Sequence, residues 1–170
     1  MKKVFLIALV LSVFSASFMI GGDLHVDVYP VDVNASSLEW NAAKFSGKHN
    51  GTVSFSSGEI HSNHGNLSGT FEIDMNTIKD LDIKDEAMNT KLTNHLKSAD
   101  FFDVAKYPKA KYVITSVVPN KELKEGGATH RVHGNLTIKD KTNPLSFDAT
   151  IITQDAKITC VGSAVVDRSK

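Results

Sequence analysis

The sequence predicts an all-β protein: an antiparallel β-barrel of about eight strands, with one amphipathic helix (about 81–97) inserted between strands. Three observations carry that reading. Beyond residue 28, apolar and polar residues alternate in run after run, the period of a strand with one buried face. Each run reaches the next through a short segment of Gly, Asn, Asp or Pro, too short for a parallel crossover. Glycines fall on the inward side of two runs, at Gly69 and Gly134. One-sided alternation over this many strands leaves a sandwich or a closed barrel. Inward glycines mark a coil or close approach at a barrel corner and favour the barrel. Eight strands enclose just enough space to be filled by side chains or to hold one elongated ligand. Small inward residues tip the balance toward a cavity.

The elements follow in order. YPVDV at 29–33 and SLEWNA at 37–42 are short strands. GTVSFSSGEIH at 51–61 places Val53 and Phe55 on one face, Ser54 and Ser56 on the other, and Gly58 permits a bulge or sharp coil. The turn SNHG leads into NLSGTFEID, with Leu67, Gly69, Phe71 and Ile73 aligned; Asn63 and Gly65 tolerate positive φ there. Ile78–Leu96 breaks the pattern. Met88, Leu92 and Leu96 recur at i, i+4 and i+8, opposite Lys91, Asn94 and Lys97, as an amphipathic helix of about three turns. KYVITSVV and a loop marked by Gly126-Gly127 lead to RVHGNLTIKD, with Val132, Gly134, Leu136 and Ile138 on one face. PLSFDATIIT aligns Leu145, Phe147, Ala149 and Ile151, and Gln154-Asp155 turns the chain into AKITCVGSAVV.

The N-terminus reads differently. MKK followed by the apolar run Val4–Ile20, with small residues at Ser15-Ala16-Ser17 and Gly21-Gly22, is the pattern of a signal peptide over 1–22. Export to the periplasm and a mature domain of 23–170 are expected; an uncleaved anchor is the rival reading. Loss of Lys2 and Lys3 takes the balance from 19 basic and 19 acidic residues to 17 and 19, a net charge of about −2. That balance excludes an electrostatic footprint for nucleic acid. Cys160 is the one cysteine, so no internal disulfide forms, and it reads as a small buried hydrophobe.

The stretch between helix and next strand, HLKSADFFDVAKYPKAKY, puts Phe101, Phe102 and Tyr107 where a solvated loop would be polar. The connection must therefore lie on apolar surface. That segment, together with EWNAAKFSGKHNGTVSFSSGEI, GTFEIDMNTI and HGNLTIKDKTNPLSF, resembles the YceI family of polyisoprenoid-binding proteins, from about residue 29 to the end. The resemblance implies a lipocalin-like periplasmic barrel whose interior binds a long isoprenoid chain without covalent chemistry. Family members usually continue past DRSK at 167–170 through another strand or two. The expectation is therefore either a chain truncated after Lys170 or closure with fewer residues.

On that resemblance the ligand is an isoprenoid quinone or polyprenyl phosphate, with no cofactor required. The lining expected is Trp40, Phe55, Phe71, Tyr112, Leu136 and Phe147, with Phe101 and Phe102 as a lid across one end. Each of these also suits a solid core. At the mouth, His49 and Arg168 stand at positions where the family carries His and Arg, and an Arg suits a phosphate. Burying a chain of about forty carbons has a gross term of roughly 30 kcal/mol, much of it offset by ordering the chain. Transient membrane contact and a monomer or homodimer complete the expectation.

Other motifs point elsewhere with less force. His61/His64 and His130/His133 have H-x-x-H spacing, but residues three apart on a strand face opposite sides, so only the pair across the turn converges. No G-x-S-x-G, H-E-x-x-H or phosphate loop appears, which argues against an enzyme. The sequons at Asn34, Asn50, Asn66 and Asn135 matter only in a eukaryotic secretory pathway. Two alternatives remain: a periplasmic stress-related interaction protein with a filled core, and a histidine-based metal binder.

Overall fold

The computed structural model describes residues 4–13, 26–44, 47–121 and 127–167, the side chains of 4–13 and 44 excepted. Along them run β1 (Val4–Val13), β2 (Val26–Pro30), β3 (Ser37–Lys44), β4 (Gly47–Asn63) and β5 (Asn66–Asp80), then α1 (Glu86–Lys97). β6 (Lys109–Pro119), β7 (His130–Ile138), β8 (Lys141–Gln154) and β9 (Lys157–Asp167) follow. Every described pairing is antiparallel. Pairing runs β4-β3-β1-β9-β8-β7-β6-β5, and β5 returns to β4, so the sheet curls back on itself as a barrel. β2 lies outside that ring, against the far half of β4.

The inward faces are those the alternation marked. Val53, Phe55, Phe71, Ile73, Val132, Leu136, Phe147, Ala149, Ile158 and Cys160 are all buried in one apolar cluster. Three large rings reach that interior by lying over glycines of the neighbouring strand. A Cβ on Gly51 would stand 2.5 Å from the Trp40 ring, one on Gly58 2.9 Å from Phe71, and one on Gly134 2.5 Å from Tyr112. Gly58 therefore serves as a floor for Phe71, its direct register partner, and the register shift expected near it falls between Phe55 and Ser57.

A second shift is larger. Between Thr52 and Ser54 the partner jumps from Lys79 to Asp74, so residues 75–78 bulge out of β5. Thr77 Oγ1 donates to the Asp74 carbonyl at 2.6 Å and accepts from the Ser54 N–H at 2.8 Å. The bulge thereby turns both Met75 and Ile78 into the core.

Two local expectations need correction. The β4–β5 turn takes its positive φ at His64 (50°) and Gly65 (82°), rather than at Asn63. The helix begins at Glu86, not near residue 81, because Asp85 is its N-cap and accepts from the Met88 N–H at 2.9 Å. Only its C-terminal end is committed to the core: Leu96 is buried, whereas Met88 is 59% exposed. Val4–Val13, the apolar run of the expected signal peptide, is paired as a strand with β3 on one side and β9 on the other in the uncleaved chain, which leaves the expected cleavage untouched. The rest of that expected leader, 14–22, lies outside the described residues.

Gly134→Ala is expected to cost about 1–3 kcal/mol by forcing the Tyr112 ring off its floor. Gly65→Ala meets no neighbour and carries only the cost of a left-handed residue, about 1 kcal/mol. Urea unfolding of the two variants reads the difference.

Candidate ligand cavity

The connection after α1 is a set of tight turns. The N–H groups of Phe101 and Asp103 donate to the Ser98 carbonyl (3.0 and 2.8 Å), and that of Phe102 donates to the Leu96 carbonyl (3.1 Å). This geometry stacks the Phe101 and Phe102 rings edge-to-face with centroids 4.7 Å apart. Phe102 is buried in the apolar cluster and Phe101 packs against it, whereas Tyr107 is half-buried with Lys106 Nζ 5.1 Å from its ring centre.

Beneath them is a cavity of about 420 Å³, at the barrel end where this connection meets the β7–β8 turn and the last residues of β9. Its inner wall includes Phe101, Phe102, Leu136, Ile138, Leu145 and Val166. Its polar side is Lys139, Asp140, Lys141, Asn143 and Asp167. Lys139 Nζ reaches the carbonyls of Ala99 and Phe101, both at 3.4 Å, and so ties the turn to the lid.

Deeper in, the space narrows to three voids of about 40, 50 and 30 Å³. Leu136 walls the mouth cavity and the first two voids, and Phe71, Tyr112 and Phe147 wall both the second and the third. The voids thus form a file down the barrel. Each is comparable to the share of volume of one or two waters, roughly 30 Å³ apiece. A long ligand must displace rings to enter these voids.

The Tyr112 hydroxyl donates to the Leu145 carbonyl at 3.0 Å, beside the mouth cavity. Burial, with the nearby Cys160 adding, pushes the Tyr112 phenol up to about 12. Burial alone raises the Cys160 thiol to about 11. Both groups therefore stay neutral, and no charge opposes a hydrocarbon in the interior.

The expected lining and lid residues fall together: Trp40, Phe55, Phe71, Phe101, Phe102, Tyr112, Leu136 and Phe147 all wall the mouth cavity or one of the inner voids. His49 lines none of these four cavities. Its Nδ1 lies 3.0 Å from Asp82 Oδ2, beside the β4–β5 junction. The Asn50 N–H at 2.7 Å holds Asp82 below the ordinary carboxylate range, with the His49 ring adding to the effect. Arg168 lies outside the described residues. His61 pairs with Glu59 at 2.9 Å, His133 with Ser146 at 2.9 Å, and Arg131 takes Asp148 at 3.0 Å.

The cavity's polar side is hidden in the sequence, where KDKTN reads as an ordinary turn. Two lysines spaced by one acid, the second of them opening β8 as Lys-Thr-Asn-Pro, are the only signal.

The profile of the YceI-like domain matches residues 29–170. The chain belongs to that family. A UPF0312 protein of Pseudomonas putida F1 is 48% identical over 56 residues, 33% of this chain and 27% of that protein. Protein YceI of Escherichia coli O6:H1 is 38% identical over 66 residues, 39% and 31% of the two chains. A UPF0312 protein of Pseudomonas savastanoi pv. phaseolicola is 37% identical over 98 residues, 54% and 48%. The matched stretches thus span about a quarter to a half of these curated YceI-like relatives. The crystal structure of Burkholderia cenocepacia BcnA aligns over 94% of this chain and 96% of that one, with a TM-score of 0.42 and 15% identity.

Raised folded-state pKa values mean that stability is full below the ordinary thiol and phenol values and is lost as pH rises toward about 11 and about 12. Unfolding free energy should be flat through neutral pH and fall above about pH 9, with Cys160→Ala removing the earlier part of the fall. A thiol-reactive disulfide reagent at pH 8 should leave Cys160 untouched until denaturant is added.

Proposed function

We propose that the protein holds a long-chain isoprenoid, a quinone or a polyprenyl phosphate, with its head in the mouth cavity and its tail along the file of voids. The observation that carries this reading is the polarity of the cavity: one wall is apolar and leads inward, and the other presents Lys139 and Lys141 together with Asp140, Asn143 and Asp167. Membership of the YceI-like family supports a polyisoprenoid-binding type of protein. The mouth volume of about 420 Å³ suits a small ligand or the head end of a longer one. Lys139 is engaged with the lid carbonyls, so Lys141 is the cation we assign to the head group. The role is carriage or storage, without catalysis.

We further propose that the protein is exported and 1–22 removed. That step takes β1 from between β3 and β9, beside Val165–Asp167 on the cavity side, and opens the mouth along it.

Native mass spectrometry of residues 23–170, purified without detergent from a bacterial host, tests the reading alongside an organic extract of the sample. A stoichiometric adduct identified as a prenyl lipid is expected. A bare mass with no uptake of added quinone or polyprenyl phosphate contradicts it and favours a filled core with a partner on the outer face. Lys141→Glu should weaken a polyprenyl phosphate about fivefold, as for one exposed charge pair, and leave the uncharged prenyl alcohol unchanged.

A further inference from the structure

Outside the cavity, at the junction of β4, β5 and the entry to α1, one carboxylate is placed at odds with its surroundings. Asp80 is 6% exposed and is the one buried charged residue among those described. Its Oδ1 accepts from the Ile83 N–H at 2.9 Å and from Asn89 Nδ2 at 3.2 Å. Its Oδ2 is fully buried and accepts no hydrogen bond. A buried anionic oxygen without a donor is costly, and native folds rarely leave one.

That oxygen faces two other donors to metals. Nδ1 of His49 is 3.9 Å away and Asp82 completes the group; one ligand atom from each residue lies within 4.8 Å of the others. Three ligands around a tetrahedral zinc ion, at their usual bond lengths, stand about 3.3 Å apart. Two of the three separations, 3.0 Å (His49–Asp82) and 3.9 Å (His49–Asp80), bracket that value, and the third lies within 4.8 Å. Charge agrees as well. Two carboxylates are balanced by one divalent cation, whereas an imidazolium balances only one of them. One imidazole nitrogen with two carboxylates favours a zinc-type ion over calcium or magnesium, which take oxygen.

We propose that His49, Asp80 and Asp82 form a divalent transition-metal site of the zinc class that fastens the entry of α1 to the barrel. The proton of His49 then resides on Nε2, and the Nδ1 lone pair faces the ion. The supporting contacts are already in place. Asn89 of α1 holds the Asp80 carbonyl and the Ile83 carbonyl, both at 3.1 Å, so the ligand-bearing turn and the helix move together. Asp82 and His49 are partly exposed, which leaves an entry path and room for a water as fourth ligand. This site is independent of any lipid in the cavity.

The test uses the untagged protein, stripped of metal, titrated calorimetrically with zinc chloride, with melting followed in parallel. One equivalent of zinc is expected to bind and raise the melting temperature. His49→Gln and Asp82→Asn, both at partly exposed positions, should each weaken binding about tenfold or more, and His61→Gln should leave it unchanged. Cobalt(II) should give visible bands that zinc bleaches. Absence of saturable binding overturns the proposal, and so does binding that His49→Gln and Asp82→Asn leave intact. Asp80→Asn is read only by circular dichroism first, since it can disturb the fold.

Discussion

Trp40, Phe71 and Tyr112 lie over Gly51, Gly58 and Gly134 on neighbouring strands, and the interior depends on those three contacts. A barrel of this girth has room for side chains only if large and small residues alternate across it. A methyl group on any of the three glycines would stand closer to the ring than van der Waals contact allows. The rings fill the centre, and the long bulged β5 delivers Met75 and Ile78 to the same centre from the side.

The same packing decides what the cavity does. Space is generous at the mouth, about 420 Å³, and restricted below it, with voids of at most about 50 Å³. The walls shared between successive voids are the rings themselves, so on the proposed function a hydrocarbon tail would have to turn Phe71, Tyr112 and Phe147, there being no open tube between these voids. Aromatic side chains suit such gates because each has few torsions, and rotation trades ring–ring contact for ring–tail contact at little change in buried area. Tyr112 alone has a polar tether, its hydrogen bond to the Leu145 carbonyl, which sets it apart as the ring with most to lose on moving.

Most of the sheet is legible in the sequence because alternation is a local signal. Val132, Gly134 and Leu136 can be assigned to the inside from their own segment, and they are inside. The helix start is misplaced because the i, i+4, i+8 spacing of Met88, Leu92 and Leu96 marks the helix but not its first residue, which the Asp85 N-cap sets. The cavity's polar side is not legible at all. Lys139 and Lys141 are some forty positions from Phe101, and only the closure of the barrel brings them together. The His49–Asp80–Asp82 group escapes the sequence for the same reason: β4 and the end of β5 meet through a register that no periodicity encodes. The apolar run at 4–13, broken only by Ser12, is ambiguous in another way, since such hydrophobicity suits a leader and a strand with equal ease.

The central claim is that a tail occupies the file of voids rather than resting at the mouth. Binding of prenyl alcohols of increasing length to residues 23–170, followed by the fluorescence of Trp40, tests it most directly. Affinity should rise with each added isoprene unit, by at most ~0.8 kcal/mol per methylene, until the interior is filled, and then level off. An affinity that stays flat beyond the first unit or two would place the ligand at the mouth alone and contradict the account.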